Sequence, residues 1–122
     1  VSYEAALVTL LNTATPDAVY RGELPENAPL PAQSYTRVDT VKGYAHDGDD
    51  RLPTVRVQVD CWANDADAAD TVADAGPRAL SGYSDDFFQR IEIADDRELD
   101  EPDNGIFRRM VDLLITYSEV TP

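Results

Sequence analysis

Between Thr54 and Ala63 the chain reads TVRVQVDCWA, and no other stretch constrains its fold as tightly. Val55, Val57, Val59 and Cys61 fall on one parity, and Arg56, Gln58, Asp60 and Trp62 on the other. Side chains of a strand alternate between the two faces, so this pattern predicts a strand over Pro53–Trp62 with one apolar face and one mixed polar face. Directly behind it comes ANDADAADTVADAGPRAL. Asn64 is placed to cap a helix, and Asp65 and Asp67 in its first turn suit the positive end of the helix dipole. Ala66, Ala69, Ala73, Gly76 and Leu80 recur at helical spacing, a narrow stripe of small residues that lets a helix approach a sheet closely. Gly76-Pro77 then predicts a kink or break.

The remaining elements follow the same logic. SYEAALVTLLNT predicts a short helix over Tyr3–Thr13, with Ser2 as cap, a stripe of Ala6, Leu7, Leu10 and Leu11, and an end at Pro16. A brief strand at Ala18–Tyr20 precedes ELPENAPLPAQ, where Pro25, Pro29 and Pro31 favour an extended surface segment. Strands are expected at Ser34–Val41, Phe87–Ile93 and Ile106–Val120. GYAHDGDD reads as a solvent-facing turn, and ADDRELDEPDNG, with six acids at Asp95, Asp96, Glu98, Asp100, Glu101 and Asp103, as a loop or hairpin tip. The expected fold class is α+β: a single domain over residues 1–122, with a small, mainly antiparallel sheet of about four to five strands packed with an N-terminal and a central helix.

Charge excludes several functions. Against Lys and Arg totalling 10, the Asp and Glu total of 24 gives a formal charge of −14 and a pI near 4.1. Such a surface repels phosphate backbones and anionic lipid heads, which argues against nucleic-acid and membrane partners. The Asp-, Ala- and Arg-rich composition fits a GC-rich or a salt-loving source. No apolar run reaches the roughly 20 residues of a membrane span. The first residues, VSYEAALVTLL, lack the basic flank and small-residue cleavage site of a signal peptide. A lone cysteine gives no intrachain disulfide and no sign of an oxidising compartment.

Catalytic constellations are not legible. Cys61 shares the valine parity and has acidic and apolar neighbours, so it is expected as a core residue rather than as a nucleophile. His46 lies in a turn, and one Cys with one His cannot build a usual zinc site. A calcium loop read from Asp65 meets Ala69 at its fifth position and Gly76 at its twelfth; read from Asp47 it meets Arg51 and Gln58. Asp67, Asp70 and Asp74 share a helical face that reads as solvated, and Asp85-Asp86 and Asp95-Asp96 read as hydrated turn residues. No catalytic, cofactor or metal residue is assigned. Trp62 is expected either beneath the helix or Pro-rich segment or against a neighbouring chain. Arg56, Gln58, Arg108 and Arg109 are candidates for pairing with acids, within the chain or across a subunit boundary.

The order of these motifs resembles the tail-completion, or tail-terminator, proteins of long-tailed bacteriophages and related viruses. The resemblance rests on the helix YEAALVTLLN, the Pro-containing lead into SYTRVDTV, the strand VRVQVDCWA passing into an Asp/Ala-rich helix that ends RALSG, and the final RRMVDLLITY. It runs over nearly the whole chain; Gly76-Pro77, inside the helix, departs from the family pattern. The resemblance implies a cofactor-free structural protein of the virion neck, assembled in the host cytoplasm and acting as a ring, commonly a hexamer. That ring would end growth of the tail tube protein and offer a face to the head-proximal connector or stopper protein, with DNA passing through its lumen without sequence-specific binding. Subunit contacts are expected through strand edges, Arg56, Gln58, Trp62, Arg108 and Arg109, and the acidic loops 43–51 and 94–105 with Asp96, Asp100 and Asp103. The alternatives are a head–tail adaptor of the same neck region and a small non-viral ligand-binding domain or enzyme.

Overall fold

A computed structural model describes residues 3–41 and 54–118. Its elements are α1 (Tyr3–Leu11), β1 (Val19–Arg21), β2 (Ala32–Val41), β3 (Thr54–Ala63), α2 (Ala66–Ala75), a 3-10 turn at Pro77–Leu80, β4 (Phe88–Glu98), a second at Pro102–Asn104, and β5 (Phe107–Tyr117). The strands form one sheet of order β1-β2-β3-β5-β4. β1 runs parallel to β2, and every other pairing is antiparallel. The fold is α+β, with an N-terminal and a central helix.

Both helices cover the same face of the sheet. The valine parity of β3 is fully buried there, as are Val111, Leu113 and Ile115 of β5. Leu7 and Leu11 descend onto it from α1, Val72 and Ala73 from α2. Tyr3 stacks on Tyr117 at 5.1 Å, and Phe87 stacks on Tyr117 at 5.6 Å, which pins the start of α1 to the end of β5. Cys61 belongs to this core. Burial pushes its thiol up to about 12, with the Asp60 carboxylate reinforcing the shift. A thiol raised in this way stabilises the fold below the unfolded thiol range, and that contribution is lost as pH climbs towards the folded value. The folded protein is therefore expected to resist iodoacetamide at mildly alkaline pH and to label only after unfolding. Mass spectrometry reads this directly, and rapid labelling of the folded chain would contradict it.

Several boundaries differ from the sequence expectation. Asp65, not Asn64, caps α2: its backbone is extended and its side chain accepts from the Ala68 amide at 2.7 Å. The helix stops at Ala75, and Pro77–Leu80 continues as a 3-10 turn, the break that Gly76-Pro77 predicts. β4 runs on to Glu98, so Asp95 and Asp96 are strand residues rather than loop residues. The physical reason is that β4 lies at the sheet edge, where both faces can carry charge. Only the tip, with Gly105 left-handed at φ 67°, is a turn. β5 ends at Tyr117. Ser2, the turn with His46 and the loop 43–51 lie outside the described residues.

Candidate functional site

The face of the sheet away from the helices carries the other parity: Arg56, Gln58, Asp60 and Trp62 of β3 lie opposite Leu114, Asp112, Met110 and Arg108 of β5. Arg56, Gln58, Trp62 and Arg108 are thus brought together. Arg109 is not. Its neighbour relation with Arg108 puts it on the helix face, where it is only 2% exposed. Asp96 also faces the helix side, while Asp100 and Asp103 belong to the β4–β5 tip.

On the far face every candidate cation has a partner within the chain. Arg56 donates from Nη2 to Asp112 Oδ2 at 2.6 Å and from Nε at 3.1 Å. Arg108 donates from Nε to Asp60 Oδ1 at 3.0 Å, and its guanidinium lies 4.7 Å over the Trp62 ring. Gln58 donates to the other oxygen of Asp60 at 3.0 Å, and Trp62 Nε1 donates to Ser34 Oγ at 3.2 Å. Asp60 is buried with both oxygens satisfied, the condition under which a charge is tolerated away from water.

The Pro-rich segment after β1 crosses to this far face and makes one wall of a groove of about 760 Å³. Leu24, Pro25 and Leu30 form that wall, Trp62 with Gln58 and Asp60 the floor, and Ile106 with Arg108 the opposite side. Within the chain Trp62 lies beside the Pro-rich segment rather than beneath a helix, and its indole is half-buried.

On the helix face a second set of charges closes α2 against β4 and β5. Arg78, from the 3-10 turn, donates to both oxygens of Asp96 at 2.8 and 3.0 Å, to Asp74 Oδ1 at 3.0 Å and to Asp70 Oδ1 at 3.3 Å. Arg109 Nε donates to the same Asp70 oxygen at 2.8 Å, and its Nη1 bonds Asp100. Hydrogen bonding to Arg109 is the main reason the Asp70 carboxyl sits below its ordinary range, with Arg78 adding to it. Asp70 and Asp74 are therefore clasped rather than simply solvated. Asp85, expected as hydrated, accepts from Phe87 N, Phe88 N and Tyr83 Oη, which together outweigh its partial desolvation and lower its pKa. The sequence does not single out Arg78. Its one signal is the spacing of four from Asp74, which places the two on one helical face.

Among the described residues, no group of three or more His, Cys, Asp and Glu is arranged to hold a metal ion. No described helix is long and apolar enough to cross a membrane. The arrangement offers binding surface: a sheet face that no helix covers, with internally neutralised charges and a groove around the sole tryptophan.

The fold is similar to that of a chain in a structure described as "Virion of native gene transfer agent (GTA) particle", with a TM-score of 0.59 and 16% identity, covering 89% of this chain and 84% of that one. No curated protein matches the chain. Residues 3–118 match the family described as "Tail completion protein gp17". The chain therefore belongs to the tail completion family and is a structural protein of the phage virion tail.

Proposed function

We propose that the protein closes the head-proximal end of the tail tube as a ring, commonly a hexamer, ending tube growth and presenting the surface to which the head-proximal connector joins. The observation that carries this reading is the family match, which runs over every described residue. The geometry supports a role in contact rather than in chemistry, since the far face pairs its own charges and leaves a groove open. In this reading the ring sits at the neck, needs no cofactor and works without catalysis, and DNA crosses its lumen past acidic walls. Its neighbours are a second copy of itself, the tail tube protein and the connector.

Contacts with those neighbours are assigned to the far face and the tip with Asp103. Asp100 is a poor probe of an interface, because it already holds Arg109 and the Arg108 amide. Particles assembled without the protein should carry overlong tubes and fail to join heads, as measured by electron microscopy of tail lengths. Tails of normal length joined to heads in its absence would overturn the proposal.

A further inference from the structure

We propose that the groove on the far face is a docking site for an extended segment of another protein, one that carries apolar side chains interleaved with Lys or Arg. The inference goes beyond the ring reading and does not depend on it.

The groove has the shape for such a segment. The floor of the groove follows β3 from Gln58 to Trp62, a run of about 13 Å at strand rise, so it takes roughly four residues of extended chain. Leu24, Leu30 and Ile106 offer apolar contact on the two sides. Trp62 lies half-buried between them, a large ring already oriented by Ser34 and Arg108 and thus inexpensive to bury further.

The charge around the groove favours a basic segment. Among the described residues the only cation lining the groove, Arg108, is spent on Asp60 and on the indole face. What has no cationic partner is negative: Glu23 on the Pro-rich wall, and Glu101, whose backbone bridges to the groove residue Ile106 and whose carboxylate accepts only from the Asn104 amide at 3.3 Å. Both residues are exposed. A segment with Lys or Arg flanking its apolar residues satisfies both the floor and the rim. A second copy of this chain fits less well. A copy carries the same formal charge of −14, so it would bring a strongly negative surface to a groove whose free charge is itself negative. Strand addition at β4 is also obstructed, because Ile91 exchanges both backbone bonds of its outer edge with Gly82 and Tyr83.

Because Trp62 is the only tryptophan, its emission reports occupancy of the groove. The purified chain is titrated with a short synthetic peptide of alternating lysine and leucine, and separately with its glutamate–leucine counterpart. The expected result is a saturable blue shift with the lysine peptide that weakens as salt is raised, and at least about tenfold weaker binding of the glutamate peptide. Glu23→Lys with Glu101→Lys should weaken the lysine peptide about tenfold, and Leu24→Ser should weaken it independently of salt. Asp67→Lys with Asp86→Lys, away from the groove, should change it by less than about twofold. An unshifted emission, equal weakening by the distant pair, or a blue shift that depends on protein concentration without peptide would each overturn the proposal. The last outcome would assign the groove to a second copy. None of these readouts involves tail length, so failure here leaves the ring reading standing, and the converse holds.

Discussion

Gly76→Ala is expected to destabilise the protein by about 3 kcal/mol, shifting its denaturant midpoint well below that of the parent chain. The residue closes α2 at φ −98° and ψ −108°, where the Val72 carbonyl accepts its amide at 2.8 Å. A Cβ there would lie 2.6 Å from Gln33 Oε1 and 3.0 Å from the Val72 carbonyl oxygen. The carbonyl is backbone of the helix's last turn and cannot retreat without breaking the cap. The glutamine could retreat if it were free, but it is fully buried. Its Nε2 donates to Leu11 O at 2.8 Å and to Thr15 Oγ1 at 2.9 Å, tying down the end of α1. One methyl group thus disturbs the exit of α2 and, through Gln33, the anchorage of α1. Gln33→Ala in the Gly76→Ala background should recover part of the loss, because the clash is removed along with the bonds. Additive losses in that double variant would refute the steric account.

The clasp around Arg109 carries the second large effect. Asp70→Ala with Asp100→Ala is expected to cost about 3 kcal/mol, at the low end for breaking a buried pair because both carboxylates keep some contact with water. The guanidinium, only 2% exposed in the parent chain, would lose its closest partners. Arg109→Met, which removes the buried charge and keeps similar volume, should cost less than half as much, since Asp70 retains Arg78 and Asp100 is close to solvent. Denaturant unfolding of the variants decides this, and a costlier Arg109→Met would overturn it. The acid limb gives an independent reading. Asp70 has a folded-state pKa below its unfolded value, so its contribution is complete above the unfolded carboxylate range and is lost as pH falls through the lowered value. The parent chain should therefore lose stability more steeply in acid than the double variant.

What the sequence reveals and what it hides divide along a physical line. β3 is legible because both its neighbours are strands and one of its faces is buried, so its parity is strict and Cys61 falls into the core with the valines. The break at Gly76-Pro77 is legible because it is local backbone chemistry. The length of β4 is not, because an edge strand whose far half carries charge on both faces has no apolar alternation to read: Asp96 turns inward to Arg78 and Asp95 outward to Arg97. The far-face group of Arg56, Gln58 and Trp62 follows from parity, and its pairing with Asp112 and Asp60 requires the β3–β5 register. For Arg109 the sequence leaves a partner within the chain and one across a subunit boundary both open, because strand parity says which face a residue takes but not that α2 lies over it. Asp100 and Arg78 acquire their roles only through contacts between segments distant in sequence.

The edge of β4 has one more consequence. Residues 82–85 fold back along its first half, with Asp85 N bonding Phe88 O at 2.8 Å. The bulge after Ile93 interrupts its second half, where the Asp95 side chain occupies the Asp96 amide at 2.9 Å. A molecule shielded in this way is a poor seed: copies crowded together on a particle find few free strand amides there from which to grow a fibre. High local concentration alone therefore does not set off edge-to-edge growth at β4.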